Sequence, residues 1–98
     1  MKLRLSEEAQ KQIEEIDVWW RENRLAAPLL FRQELREAIL QIEASPESGT
    51  PYLRAEKPYR WVLLPKTRYL LYCEFEKENG VLAVASLWNA RRGSGPKL

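Results

Sequence analysis

The sequence predicts an α+β fold: an N-terminal strand, an antiparallel helix pair, then a three-stranded antiparallel C-terminal sheet. Three observations predict it. Lys2–Leu5 alternates polar and apolar residues, the period of a half-buried strand. Apolar residues between positions 9 and 42 then recur every three or four residues, the period of one helix face. From Tyr59 onward, three apolar runs carrying Val, Tyr, Trp and Phe are separated by turn-forming residues.

Each element has its own local signal. Ser6 is a good helix N-cap, and Glu7 and Glu8 follow it in the first turn, where the helix dipole favours negative charge. Ala9, Ile13, Ile16 and Trp20 form one stripe of the first helix, which is expected to end near Asn23. A second helix is expected to begin around Leu25 to Pro28, since Pro is tolerated in a first turn. Its stripe is Phe31, Leu35, Ala38, Ile39 and Ile42. Ser45-Pro46 and Gly49-Thr50-Pro51 stop it, because Pro lacks an N–H and disfavours helix in the residue before it. Tyr52 to Pro58 reads as a loop or irregular edge strand. The strands Tyr59–Leu64, Tyr69–Glu76 and Val81–Trp88 follow, turned by Pro65 to Thr67 and by the hairpin signal Asn79-Gly80. Residues 93–98 read as a flexible basic tail, since Gly93, Gly95 and Pro96 cannot continue a strand.

The 98 residues are enough for a single domain with one layered core. With 45% apolar and 31% charged residues, the chain is a globular protein rather than a disordered one. A net charge of +2 does not by itself mark a nucleic-acid binder. The start of the chain is too short and mixed for a signal segment, and no run approaches the roughly 20 apolar residues of a membrane span, so a cytoplasmic location without membrane attachment is expected. One cysteine, Cys73, leaves no internal disulfide and no metal cluster, and no cofactor is implied. There is no histidine.

The closing segments carry a resemblance. Tyr59-Arg60, Lys66-Thr67-Arg68-Tyr69, Tyr72 and Trp88-Asn89-Ala90-Arg91-Arg92-Gly93, in this order after two helices, are similar to the C-terminal half of the RelE/ParE family of toxin–antitoxin toxins. Helices containing Trp20 and Phe31, the second followed by Ser45-Pro46, resemble its N-terminal half. The resemblance implies the toxin of a type II system, neutralised by and oligomerising with a cognate ParD-like antitoxin. It also implies one of two activities: disabling DNA gyrase by binding, or cutting messenger RNA on the ribosome. A toxin fold that only binds an antitoxin is a third possibility.

The residues favour the gyrase branch. The ribonuclease branch places an Arg within the central strand, before two apolar residues and a Tyr, and often a His or Tyr near the C-terminus, many relatives carrying His at the end of the last strand. Here those positions read Tyr69 and Asn89, and an amide transfers no proton near neutral pH. Arg68 is displaced by one residue and is expected on the opposite face of the sheet from Tyr69. If the chain is a nuclease, Arg60, Arg68, Tyr69 and Arg91 are its catalytic candidates, with Lys66 a further source of charge. Target binding is expected from Arg91, Arg92, Lys97 and Trp88. Trp19 and Trp20 lie about 100° apart on the first helix and are the candidate antitoxin contacts. The helix carboxylates, Glu34 and Glu37 among them, are expected on a solvated face.

Overall fold

The computed structural model describes residues 2–52, 56–93, 95–96 and 98. The chain runs β1 (Lys2–Leu5), α1 (Glu7–Asn23), α2 (Leu30–Ala44), β2 (Thr50–Pro51), β3 (Arg60–Leu64), β4 (Tyr69–Glu76) and β5 (Val81–Asn89), then one 3₁₀ turn over Ala90–Arg92. The C-terminal strands form the expected antiparallel meander, but the sheet is larger and mixed. Its five strands lie in the order β1-β5-β4-β3-β2. β1 joins β5 in parallel, with Lys2 opposite Val81 and Leu5 opposite Val84. The free edge of β5 gives the polar backbone of β1 the partners that an isolated strand would lack. At the other edge Thr50 and Pro51 pair with Trp61 and Arg60, and Pro51 is tolerated because the strand is outermost.

α1 begins where Ser6 predicts. Its Oγ accepts the Ala9 N–H at 3.0 Å and donates to the Ala85 carbonyl at 2.8 Å. Ala85 is the extra residue of a bulge in β5, since Tyr72 faces Ser86 while Cys73 faces Val84. One hydroxyl therefore caps the helix and anchors the bulge. Beyond Leu5, β1 no longer covers β5, and Gln12 takes over: its Oε1 accepts the Leu87 N–H at 2.8 Å. α2 starts at Leu30, later than expected, because residues 25–29 around Pro28 form turns instead. Asp17 of α1 is buried and faces Arg21 at 3.3 Å and Arg32 of α2 at 3.8 Å, which ties the two helices.

Both helices cover one face of the sheet. Ala9, Phe31, Leu35, Ala38 and Ile42 pack on Leu64, Leu71, Cys73, Leu82, Val84 and Leu87. The hairpin after Glu76 is a four-residue loop closed by the Glu76–Val81 pair, not a two-residue Asn-Gly turn. Only Gly80 adopts positive φ there (62°). On the opposite face the end of the chain turns back. The Tyr52 hydroxyl donates to the Pro96 carbonyl at 2.7 Å, Pro96 is buried, and the Tyr52 and Tyr72 rings meet edge to face. Gly95 sits so close that a Cβ would lie 2.8 Å from the Tyr52 hydroxyl, and its φ is +85°. The expected flexible tail is therefore tethered at Pro96, because two phenol rings give it an apolar seat and a hydrogen-bond donor.

Candidate functional site

The turn Pro65–Arg68 between β3 and β4 is built from below by Glu34. This α2 carboxylate is buried and accepts the Lys66 N–H, the Thr67 N–H and the Thr67 hydroxyl, each at 2.8 Å. With both carboxylate oxygens used, two backbone amides that no strand partner reaches are satisfied. Arg68 follows at φ 68°, the one described non-glycine residue at positive φ. Its N–H donates to the Leu64 carbonyl, and its own carbonyl accepts the Ala90 N–H, each at 2.8 Å. Both ends of the strained residue are thus fixed.

Above this turn lies a cavity of about 520 Å³, lined by Trp19, Trp20, Arg24, Lys66, Thr67, Arg68, Tyr69, Asn89 and Arg91. Three remote segments meet here: the end of α1, the β3–β4 turn, and the end of β5 with the 3₁₀ turn. Register explains the last, since Tyr69 pairs with Asn89. Asn89 then caps the 3₁₀ turn, its Oδ1 accepting the Arg91 N–H at 3.0 Å. Trp19 is 45% exposed, whereas Trp20 is half-buried against the core, and their rings touch edge to face at 5.9 Å. The Arg24 guanidinium lies 5.0 Å from the Trp19 ring centroid and 5.8 Å from that of Trp20. Tyr69 meets Phe31 edge to face at 5.6 Å, so its ring is held from the core side.

The lining contains four cations, three aromatic rings and no carboxylate. Such a surface attracts anions and offers flat faces for stacking or apolar contact. Among the described residues no group of three or more His, Cys, Asp or Glu could hold a metal.

Several sequence expectations change on this geometry. Arg68 and Tyr69 do not face opposite sides, because Arg68 belongs to the turn at positive φ and strand alternation begins only at Tyr69. Arg60 is separate from the other nuclease candidates. It lies opposite Cys73, four pairs away from the Leu64–Tyr69 end, and its Nη1 donates to the Gly49 and Glu47 carbonyls at 2.7 and 3.2 Å. Arg91 lines the cavity, but Arg92 lies 5.8 Å from the Trp88 ring. Trp88 pairs with Leu70 on the sheet face away from the helices, and its buried indole N–H has no partner among the described residues. Lys97 falls outside the described residues.

Arg24 and Glu34 were missed as site residues. Arg24 stands four residues after Trp20, one turn further along the same side of the helix end. Glu34 falls between Phe31 and Ala38 at spacings of three and four, on the buried stripe rather than the solvated face. That spacing was the available signal.

Elsewhere burial pushes the Cys73 thiol up to about 12. The Tyr72 hydroxyl is raised first by burial and then by Tyr52. Glu76 is lowered, chiefly by its hydrogen bond to Arg4.

Residues 3–93 match the family model described as the ParE toxin of the type II toxin–antitoxin system parDE. Among curated protein sequences none matches the chain. The fold is similar to the RelE toxin of E. coli in two crystal structures. In the intact RelBE toxin–antitoxin complex the TM-score is 0.64 at 22% identity, covering 93% of this chain and 98% of that one. For the isolated toxin it is 0.63 at 22% identity, covering 95% and 87%. The β-meander, the helix pair and the family match over nearly all of its length identify the chain as a member of the ParE toxin family of type II toxin–antitoxin systems, within the RelE/ParE superfamily.

Proposed function

We propose that the chain is a toxin that acts by binding DNA gyrase and is neutralised by a ParD-like antitoxin. The observation that carries this reading is the cavity: Arg24, Lys66, Arg68 and Arg91 converge without a carboxylate or imidazole among them. A site of this composition binds an anionic surface and lacks a paired acid and base for transferring protons. The family match over residues 3–93 supports the same branch. Purified protein titrated into a gyrase supercoiling assay should inhibit it, while messenger RNA in a reconstituted translation mixture stays intact. Codon-specific cleavage with unaffected supercoiling would overturn the reading.

A ribosome-dependent ribonuclease is the second reading, favoured by one specific observation. Arg68 and Tyr69 share the cavity with Lys66 and Arg91, so a phenol and three cations surround one space. Tyr69→Phe separates the two readings. A binding toxin keeps its potency within a few-fold. Removal of a general acid or base lowers activity by about 100-fold or more.

A further inference from the structure

We propose that Glu34 is the positioning residue of the cationic cavity, holding Lys66 and Arg68 in place for an anionic group of the target without touching that group. The proposal rests on the cavity being the target-binding site. Glu34 is 7% exposed and directs both carboxylate oxygens at one turn. Its three partners, the Lys66 N–H, the Thr67 N–H and the Thr67 hydroxyl, all lie within that turn. A buried carboxylate is costly unless its oxygens are fully used. Here they are used entirely on the residues immediately before Arg68.

The consequence is electrostatic as well as steric. Four cations around one cavity repel one another. A turn free to move would swing Lys66 and Arg68 away from Arg24 and Arg91 into solvent. The Glu34 clamp, together with the Leu64 and Ala90 backbone bonds to Arg68, holds the cations together before the target arrives. Preorganisation of this kind raises affinity by removing the ordering cost at binding.

The test uses a fluorescein-labelled ten-residue oligothymidylate as a phosphodiester probe, read by anisotropy at several salt concentrations, beside thermal melts and amide exchange. Glu34→Gln keeps an acceptor for Thr67 but turns an amide N–H toward the Lys66 N–H. Glu34→Gln should bind about tenfold more weakly, the equivalent of one lost charge-assisted hydrogen bond. Exchange should accelerate at Lys66, Thr67 and Arg68 while the sheet amides stay protected. Arg68→Ala, the direct-contact control, should lose binding without a change in Lys66 exchange.

The proposal is overturned if folded Glu34→Gln binds within twofold of wild type, or if its loss follows only the unfolded fraction. It is also overturned if wild type does not bind the probe. Gyrase supercoiling is measured separately. Glu34-dependent probe binding without gyrase inhibition would sink the gyrase reading and leave the clamp standing.

Discussion

Arg68 adopts a backbone conformation that glycine or asparagine tolerates better. Under the target-binding reading, the arginine side chain is what this position supplies. Arg68→Gly relieves the strain but adds unfolded-state freedom, so its stability should stay within about 1 kcal/mol of wild type. Its toxicity should nevertheless fall sharply, as read by growth arrest on induction beside a melting curve. The neighbouring pair Arg91 and Arg92 should separate. Arg91→Ala removes a cation from the cavity and should weaken toxicity, whereas Arg92→Ala only uncovers Trp88 and should leave it near wild type. Equal losses in both would place the target on both faces of the sheet. Cys73 makes a pH prediction. Its thiol is raised from 9.0 to about 12 by burial, so the unfolded chain loses this proton at lower pH than the folded one. The stability it contributes is whole below pH 9 and drains away as pH rises toward 12, with a slope of up to about 1.4 kcal/mol per pH unit. Burial-raised Tyr72 acts in the same direction. Urea melts of wild type and Cys73→Ala across this range should diverge in slope.

At the scale of elements, α1 does more than cover the core. Gln12 stands in for the missing strand beside the end of β5 by accepting the Leu87 N–H. Gln12→Ala leaves that donor without its partner and should cost about 1–3 kcal/mol. Amide exchange at Leu87 should rise with it, whereas a loss spread evenly over α1 would point to helix propensity instead. The helices and the meander were legible in the sequence because their signals are local: Ser6 before a periodic stripe, Gly80 in a turn, apolar runs between breakers. The parallel β1–β5 pair was not, since Leu3 and Leu5 show a strand and say nothing of a partner near the far end of the chain. The site was half legible for the same reason. Trp19, Trp20, Arg68, Tyr69 and Arg91 were each singled out, but for three different roles. That they line one cavity depends on the Tyr69–Asn89 register and on where α1 ends. Arg68 was misplaced because strand alternation was extended one residue into a turn.

For the whole molecule, the sheet is covered on one face by helices and on the other, in part, by the end of the chain. Ending the chain at Arg92 removes the Pro96 carbonyl from the Tyr52 hydroxyl and exposes Tyr72. The loss should be at least about 1 kcal/mol, or several degrees of melting temperature for a domain of this size. An unchanged melting curve would show that the tether contributes nothing. The sheet order carries a further consequence, in time rather than space. β1 is made long before its partner β5, the last of the described strands, and Asn89 and Arg91 come only at the end of β5 or just after it. Contacts of such long sequence separation form late, and a chain emerging from its N-terminus cannot make them early. A nascent copy therefore exposes an unpaired β1 and has no assembled cavity. Under the toxin reading, the cell is spared the activity of every chain still being translated, and an antitoxin has the whole of that interval to be present first.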